Sequence, residues 1–143
     1  KLDSLLNKAE DLIEMKQINK KKILIADDEA SVRLLVKRLL SKNYIVLEAK
    51  DGEEAVNIAR SQRPDLILMD MLMPVVDGLT ACHTIKTGQA TKAIPVVMLT
   101  AIGYELNKKL SQDMGAEGYI TKPFSRQDLL DTIGRFLKSP DKT

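Results

Sequence analysis

The sequence predicts an α/β protein: a doubly wound, five-stranded parallel sheet with one extra amphipathic helix at its N-terminus. Three observations carry this. Short apolar runs alternate with segments of helical periodicity, strand then helix five times over. Two of the runs, Ile23-Leu24-Ile25-Ala26 and Leu66-Ile67-Leu68-Met69, are apolar at every position, as strands covered on both faces must be. The runs then end in polar groups: Asp27-Asp28, Asp70, Thr100 and Lys122. Right-handed crossovers bring the carboxyl ends of all the strands to one edge, where open α/β sheets hold their ligands.

The 143 residues suit one domain with a single added element, and 44% hydrophobic residues argue against disorder. A net charge of +2 is too balanced to point to nucleic acid or a membrane surface. The single cysteine, Cys82, excludes an internal disulfide and fits a reducing cytoplasm. No apolar run approaches the ~20 residues of a membrane span, and no signal-peptide pattern opens the chain. The start at Lys1 suggests an excised or processed fragment. The expected organisation is a helix over 1–20, a domain over 21–138 and a tail over 139–143.

In order, Leu2, Leu5, Leu6, Ala9, Leu12 and Ile13 recur at helical spacing over residues 1–19. That stripe packs on its own domain, pairs with a second copy of the chain, or belongs to the end of a linker from an upstream domain. The first strand, Ile23–Ala26, leads into a helix with Val32, Leu34, Leu35, Val36, Leu39 and Leu40 as its apolar set and Asp28 or Ser31 as its N-cap. Ile45–Ala49 is the second strand. Asp51-Gly52 is a turn, and Glu53–Gln62 a helix with Ala55, Val56, Ile58 and Ala59 inward. Pro64 and Pro74 bound the third strand, and Asp77-Gly78 turns into a helix over Leu79–Thr87. Within that helix Cys82 is expected inside and His83 on the surface, while Met69, Met71 and Met73 serve packing. Ile94–Thr100 is the fourth strand, with its proline near the start. A weaker helix, Tyr104–Met114, stops at Gly115; Gly118–Thr121 is the last strand, and Ser125 caps a final helix that turns Leu129, Leu130, Ile133, Phe136 and Leu137 inward.

If the sheet forms so, Asp27, Asp28, Asp70, Thr100 and Lys122 converge. Like charges at 4 Å repel by about 4 kcal/mol at an effective dielectric of 20, and a divalent cation removes that cost. Carboxylates beside a phosphate suit Mg²⁺; Lys122 and Thr100 suit phosphoryl oxygens; an Asp carboxylate is an established type of phosphoryl nucleophile.

These motifs resemble a known family. Ile23-Leu24-Ile25-Ala26-Asp27-Asp28-Glu29, Asp65 to Gly78, Pro95-Val96-Val97-Met98-Leu99-Thr100-Ala101 and Gly118-Tyr119-Ile120-Thr121-Lys122-Pro123-Phe124 are similar to the receiver domain of bacterial two-component response regulators. The resemblance covers about 21–137. It implies a flavodoxin-like (βα)5 fold with Asp70 as phosphoacceptor, supplied by a phosphohistidine on a sensor histidine kinase or histidine phosphotransfer protein. It implies Mg²⁺ on Asp28, Asp70 and the backbone carbonyl of Leu72, with Asp27 on the metal or its water shell. Thr100 then bonds a phosphoryl oxygen, Lys122 pairs with Asp70 and afterwards with the phosphoryl group, Tyr119 is the switch aromatic, and small Ala101 leaves room for the donor. The output is a downstream protein bound by the last two helices and strand five. Nucleic acid and membrane are not expected partners; a homodimer through the N-terminal helix is. The Lys122–Pro123 peptide is expected to be cis. Val75 is bulkier and less polar than that loop usually carries.

Three rivals fit less well. A haloacid-dehalogenase-type phosphatase wants a second Asp where Leu72 stands. A nucleotide- or flavin-binding domain wants a Gly- or hydroxyl-rich loop after strand one, where Asp27-Asp28-Glu29 has the wrong charge. An unphosphorylated pseudo-receiver has no physical reason to keep three mutually repelling acids. No effector follows Leu137 in this sequence, so the reading is a stand-alone receiver or one cut from a hybrid histidine kinase or larger response regulator. No turnover enzyme is expected.

Overall fold

The computed structural model describes residues 2–101 and 105–137. The strands are β1 (Lys22–Ala26), β2 (Ile45–Ala49), β3 (Leu66–Asp70), β4 (Val96–Thr100) and β5 (Gly118–Thr121). The helices are α1 (Leu2–Asn19), α2 (Ala30–Leu40), α3 (Gly52–Gln62), α4 (Gly78–Thr87), α5 (Glu105–Asp113) and α6 (Arg126–Phe136). All strands are parallel, in the order β2-β1-β3-β4-β5. The predicted doubly wound sheet is therefore observed, as is the extra N-terminal helix.

Alternation along the strands divides the core in two. Leu24, Ala26, Ile67, Met69, Val96 and Met98 pack with Ala55 and Ala59 of α3 and Ala81, Cys82 and Ile85 of α4. Ile23, Ile25, Leu66, Leu68, Val97, Leu99 and Ile120 face the other way, onto Val36 and Leu40 of α2 and Leu129 and Ile133 of α6. All of β3 and β4 is buried, as continuous apolar runs require when both sheet faces are covered. Cys82 is buried, His83 is exposed, and Met69, Met71 and Met73 lie in the core. The Lys122–Pro123 peptide is cis.

Several expectations need correcting. The N-cap of α2 is Glu29, not Asp28 or Ser31; the Glu29 amide is taken by the Asp27 carboxylate at 2.9 Å, which fixes the turn without a cap on the helix itself. Leu34 and Leu35 are 48% and 46% exposed, because the stripe α2 turns to the sheet runs through Val36 and Leu40, with Val32 and Leu39 at its margins. The fourth strand begins at Val96: Ile94 turns back to bond Thr91, and the Val96 amide goes to the Glu117 side chain instead of a neighbouring strand. Asp51 is not merely a turn residue; its carboxylate accepts from the Glu54 amide and caps α3. The expected start of a helix at Tyr104, and the tail over 139–143, lie outside the described residues.

α1 does not pack on its own domain. Leu2, Leu5, Leu6, Leu12, Ile13 and Met15 are each more than half exposed. Only Lys20 and Lys21 separate the helix from β1.

Candidate functional site

β1 and β3 are neighbours, while the chain leaves β1 for β2 on the other side. That reversal opens a crevice at their carboxyl ends. Asp70, the last residue of β3, and Asp27, just after β1, are buried; Asp28 is exposed at the mouth. Carboxylate oxygens of the three lie within 4.8 Å of one another. Lys122, directly after β5, reaches across so that its Nζ is 2.7 Å from Asp27 Oδ2 and 3.2 Å from Asp70 Oδ1. Thr100 is buried at the end of β4, and its carbonyl accepts the Lys122 amide. Strand ends thus bring together Asp27, Asp28, Asp70 and Lys122, with Thr100 on the strand next to Asp70.

Electrostatics follow from this crowding. Burial first, then the charge of Asp27, pushes Asp70 up to about 6, against the pull of Lys122. Burial disfavours the Lys122 ammonium, but the hydrogen bond to Asp27 and the charge of Asp70 outweigh it and hold its pKa above the ordinary value. Three acids share one close ammonium, so the cluster is short of positive charge. Its donors are all hard oxygens. The residues therefore fit a small divalent cation.

Close backbone packing sets the acid edge. A Cβ on Gly78 would stand 1.8 Å from the Asp70 carbonyl oxygen, and the Gly78 amide donates to the Met71 carbonyl at 2.9 Å. A Cβ on Gly52 would stand 2.1 Å from the Val76 carbonyl oxygen, which accepts the Gly52 amide. Between these glycines runs the loop that holds Leu72, whose side chain is exposed. Val75 has φ +68° and is spanned by a bond from the Val76 amide to the Pro74 carbonyl. This is a γ-turn, and a β-branched residue in it is strained.

Tyr119 is half-buried and pairs with Met98, while Thr100 pairs with Thr121. Alternation puts Thr100 and Tyr119 on one sheet face. Lys108 of α5 holds its Nζ 5.6 Å from the centre of the Tyr119 ring. Ala101 is exposed and, with Val32, Leu35, Lys122 and Phe124, lines a groove of about 400 Å³ beside the acids. A larger groove, about 490 Å³, lies away from the acids between β5 and α6.

Residues 23–134 match the family described as the response regulator receiver domain. The chain belongs to this family. Receivers are the phosphoryl-accepting signalling domains of two-component systems. The chain is 38% identical over 130 residues to the transcriptional regulatory protein ResD of Bacillus subtilis, covering 90% of this chain and 53% of that protein. It spans about half the length of the curated relatives it matches. Among solved structures, the chemotaxis response regulator CheY4 of Vibrio cholerae superposes with a TM-score of 0.79 at 34% identity, over 83% of this chain and 100% of that one. The receiver domain of the sensor histidine kinase PA1611 of Pseudomonas aeruginosa, solved with a magnesium ion in its active-site cleft, gives a TM-score of 0.76 at 30% identity, over 82% and 97%.

Sequence reasoning missed Arg33 in this receiver. The Arg33 guanidinium donates to the Asp27 carbonyl at 2.6 Å. A cation one turn into the helix that follows the acid pair was the available signal. His83, exposed on α4, stands apart from the acid cluster, as expected.

Proposed function

We propose that Asp70 is the phosphoacceptor, taking a phosphoryl group from a phosphohistidine on a sensor histidine kinase or a histidine phosphotransfer protein. The observation that supports this best is the approach of Asp27, Asp28 and Asp70 within 4.8 Å, with Lys122 bonded to two of them. An ionised Asp70 oxygen forms a bond to phosphorus while the phosphorus–imidazole bond breaks and its electron pair leaves with the ring. Lys122 exchanges Asp70 for the phosphoryl oxygens, and the Thr100 hydroxyl donates to one of them. Asp27, Asp28, Asp70 and the Leu72 carbonyl would hold Mg²⁺, which neutralises charge on the transferring group. The domain modifies only itself and is not a turnover enzyme.

Tyr119 follows Thr100 inward and remodels the face of α5, β5 and α6, which binds a downstream protein, not nucleic acid. A change from 1:99 to 99:1 needs about 5.5 kcal/mol; one charge-assisted bond supplies about 1.5–3 kcal/mol. The shift is therefore graded unless Lys122 and the β3–α4 loop add to it. The receiver occupies 21–138 of a cytoplasmic protein, a larger response regulator or a hybrid histidine kinase. α1, with its leucines in solvent, pairs with a second copy.

Acetyl phosphate with Mg²⁺ should add one acid-stable, base-labile phosphoryl group by intact mass, and none to Asp70→Asn. The same gain on the variant would place the acceptor elsewhere.

A further inference from the structure

Asp27 is tied at four atoms. Its amide donates to the Ala49 carbonyl at 3.0 Å. Its Oδ1 accepts the Glu29 amide at 2.9 Å. Its Oδ2 accepts from Lys122. Its carbonyl accepts from Arg33 Nη1 at 2.6 Å. This last bond differs in kind. The Asp27 carbonyl and the Asp28 amide share one planar peptide, so a bond to that oxygen sets the plane from which Asp28 departs. Asp28 is the one exposed acid of the three, and this plane is its nearest constraint.

Arg33 is itself held. Its Nε lies 3.4 Å from Glu48 Oε1, and its side chain is only 18% exposed. Glu48 sits on β2 opposite Ile25 of β1, level with the last turn of strand before the acids. Its other oxygen is 3.6 Å from Lys37, one turn further along α2. The relay runs from β2 through a guanidinium to the peptide that carries Asp28.

We propose that Arg33, braced by Glu48, is a positioning residue for divalent-cation binding, acting by fixing the Asp27–Asp28 peptide so that the Asp28 carboxylate faces Asp70. This rests on the reading that Asp27, Asp28 and Asp70 form a Mg²⁺ site. Charge and position give opposite signs here, which makes the idea sharp. If Arg33 acted only as a nearby positive charge, its removal would tighten Mg²⁺ binding. If it positions Asp28, removal weakens binding.

The test is Mg²⁺ titration of the whole chain, followed by calorimetry and by the amide resonances of residues 27–29 and 70, with thermal midpoints of the metal-free proteins alongside. Partners that orient a ligating group typically matter by roughly 10–100-fold in affinity. Arg33→Gln should raise the Mg²⁺ Kd by about 10-fold or more and speed hydrogen exchange of the Glu29 amide in the metal-free protein. Arg33→Lys should recover part of the affinity. Glu48→Gln should give a smaller loss, and none further in the Arg33→Gln background. An unchanged or lowered Kd for Arg33→Gln overturns the proposal, as does full additivity of the two changes. If Arg33→Gln fails to fold, Glu48→Gln decides: a Kd equal to the parent's overturns the brace. If the parent binds Mg²⁺ but Asp28→Asn binds it equally well, the reading of the acid cluster fails, and the proposal with it.

Discussion

The two halves of the receiver's functional edge are built to opposite standards. At the β1–β3 half, every residue of β3 is buried, Asp27 is bonded at four atoms, and Gly52 and Gly78 bring backbone against backbone. At the β4–β5 half, β4 is as buried as β3, but β5 is a four-residue edge strand with one buried side chain, Ile120, and Tyr119 is half-buried under a lysine. Chemistry needs groups fixed within fractions of an ångström, while a readout needs an element with two arrangements close in energy. Under the proposed function the first half carries the chemistry and the second the readout, and the packing of the two differs accordingly.

The severest way to break the rigid half is Gly78→Ala. Its Cβ meets the Asp70 carbonyl, a backbone atom that cannot step aside, so a loss of about 3 kcal/mol is expected. Urea denaturation measures it, and a loss under ~1 kcal/mol would mean that the β3–α4 loop is softer than described.

The next effect is electrostatic. Folding raises Asp70 to about 6, so the folded state binds that proton more tightly than the unfolded one. Its stabilising share is present below about pH 3.9 and is lost as pH rises through about 6. Melts of the metal-free parent relative to Asp70→Asn should show the parent falling behind across that window. Saturating Mg²⁺ should reverse the trend, and its apparent affinity should drop as pH is lowered through 6. A flat difference between the two proteins would remove the strain assigned to the acid cluster.

Val75 sharpens the contrast at smaller cost. Its φ of +68° is strain that Gly does not carry, and Val75→Gly should stabilise by roughly 1 kcal/mol, read as a higher urea midpoint at unchanged slope.

The soft half should respond least in stability and most in population. Lys108→Gln removes a cation–ring contact worth about 0.5–1 kcal/mol. It should change the ratio of Tyr119 states roughly two- to five-fold, seen in NMR shifts of residues 118–121 with and without beryllium fluoride. Shifts identical to the parent's in both states would show that the ring position does not depend on the lysine.

The fold was legible where burial leaves one choice. The runs Ile23–Ala26 in β1 and Leu66–Met69 in β3 are apolar throughout because both sheet faces are covered, and the acids that follow them stand out against that background. Legibility fails where a residue's partner is backbone. Nothing in the side-chain pattern says that the Glu29 amide will prefer Asp27 or that Arg33 will seek a carbonyl. The periodicity of α2 offered more apolar residues than one sheet face can bury, so Leu34 and Leu35 fell outside. Val75 opposes its own propensity, and only the closeness of Val76 to Gly52 shows why the chain turns there.

The strand order also has a consequence for how the domain assembles. β1 is synthesised before β2, yet it must also accept β3 on its other side, with Ile23 against Leu66. The other pairings, Lys22 with Ile45, Ile67 with Val96 and Val97 with Gly118, join strands adjacent in the chain. Closing the β1–β3 seam spans the longest loop of the sheet and carries the largest loop-closure entropy. The acids lie astride that seam, Asp27 on one side and Asp70 on the other. A chain truncated before β3 can form a β1–β2 pair and hold Asp27 and Asp28, but the cluster exists only once the most distant pairing is made. If the acids hold a divalent cation as proposed, ion uptake during refolding should report when the β1–β3 seam closes.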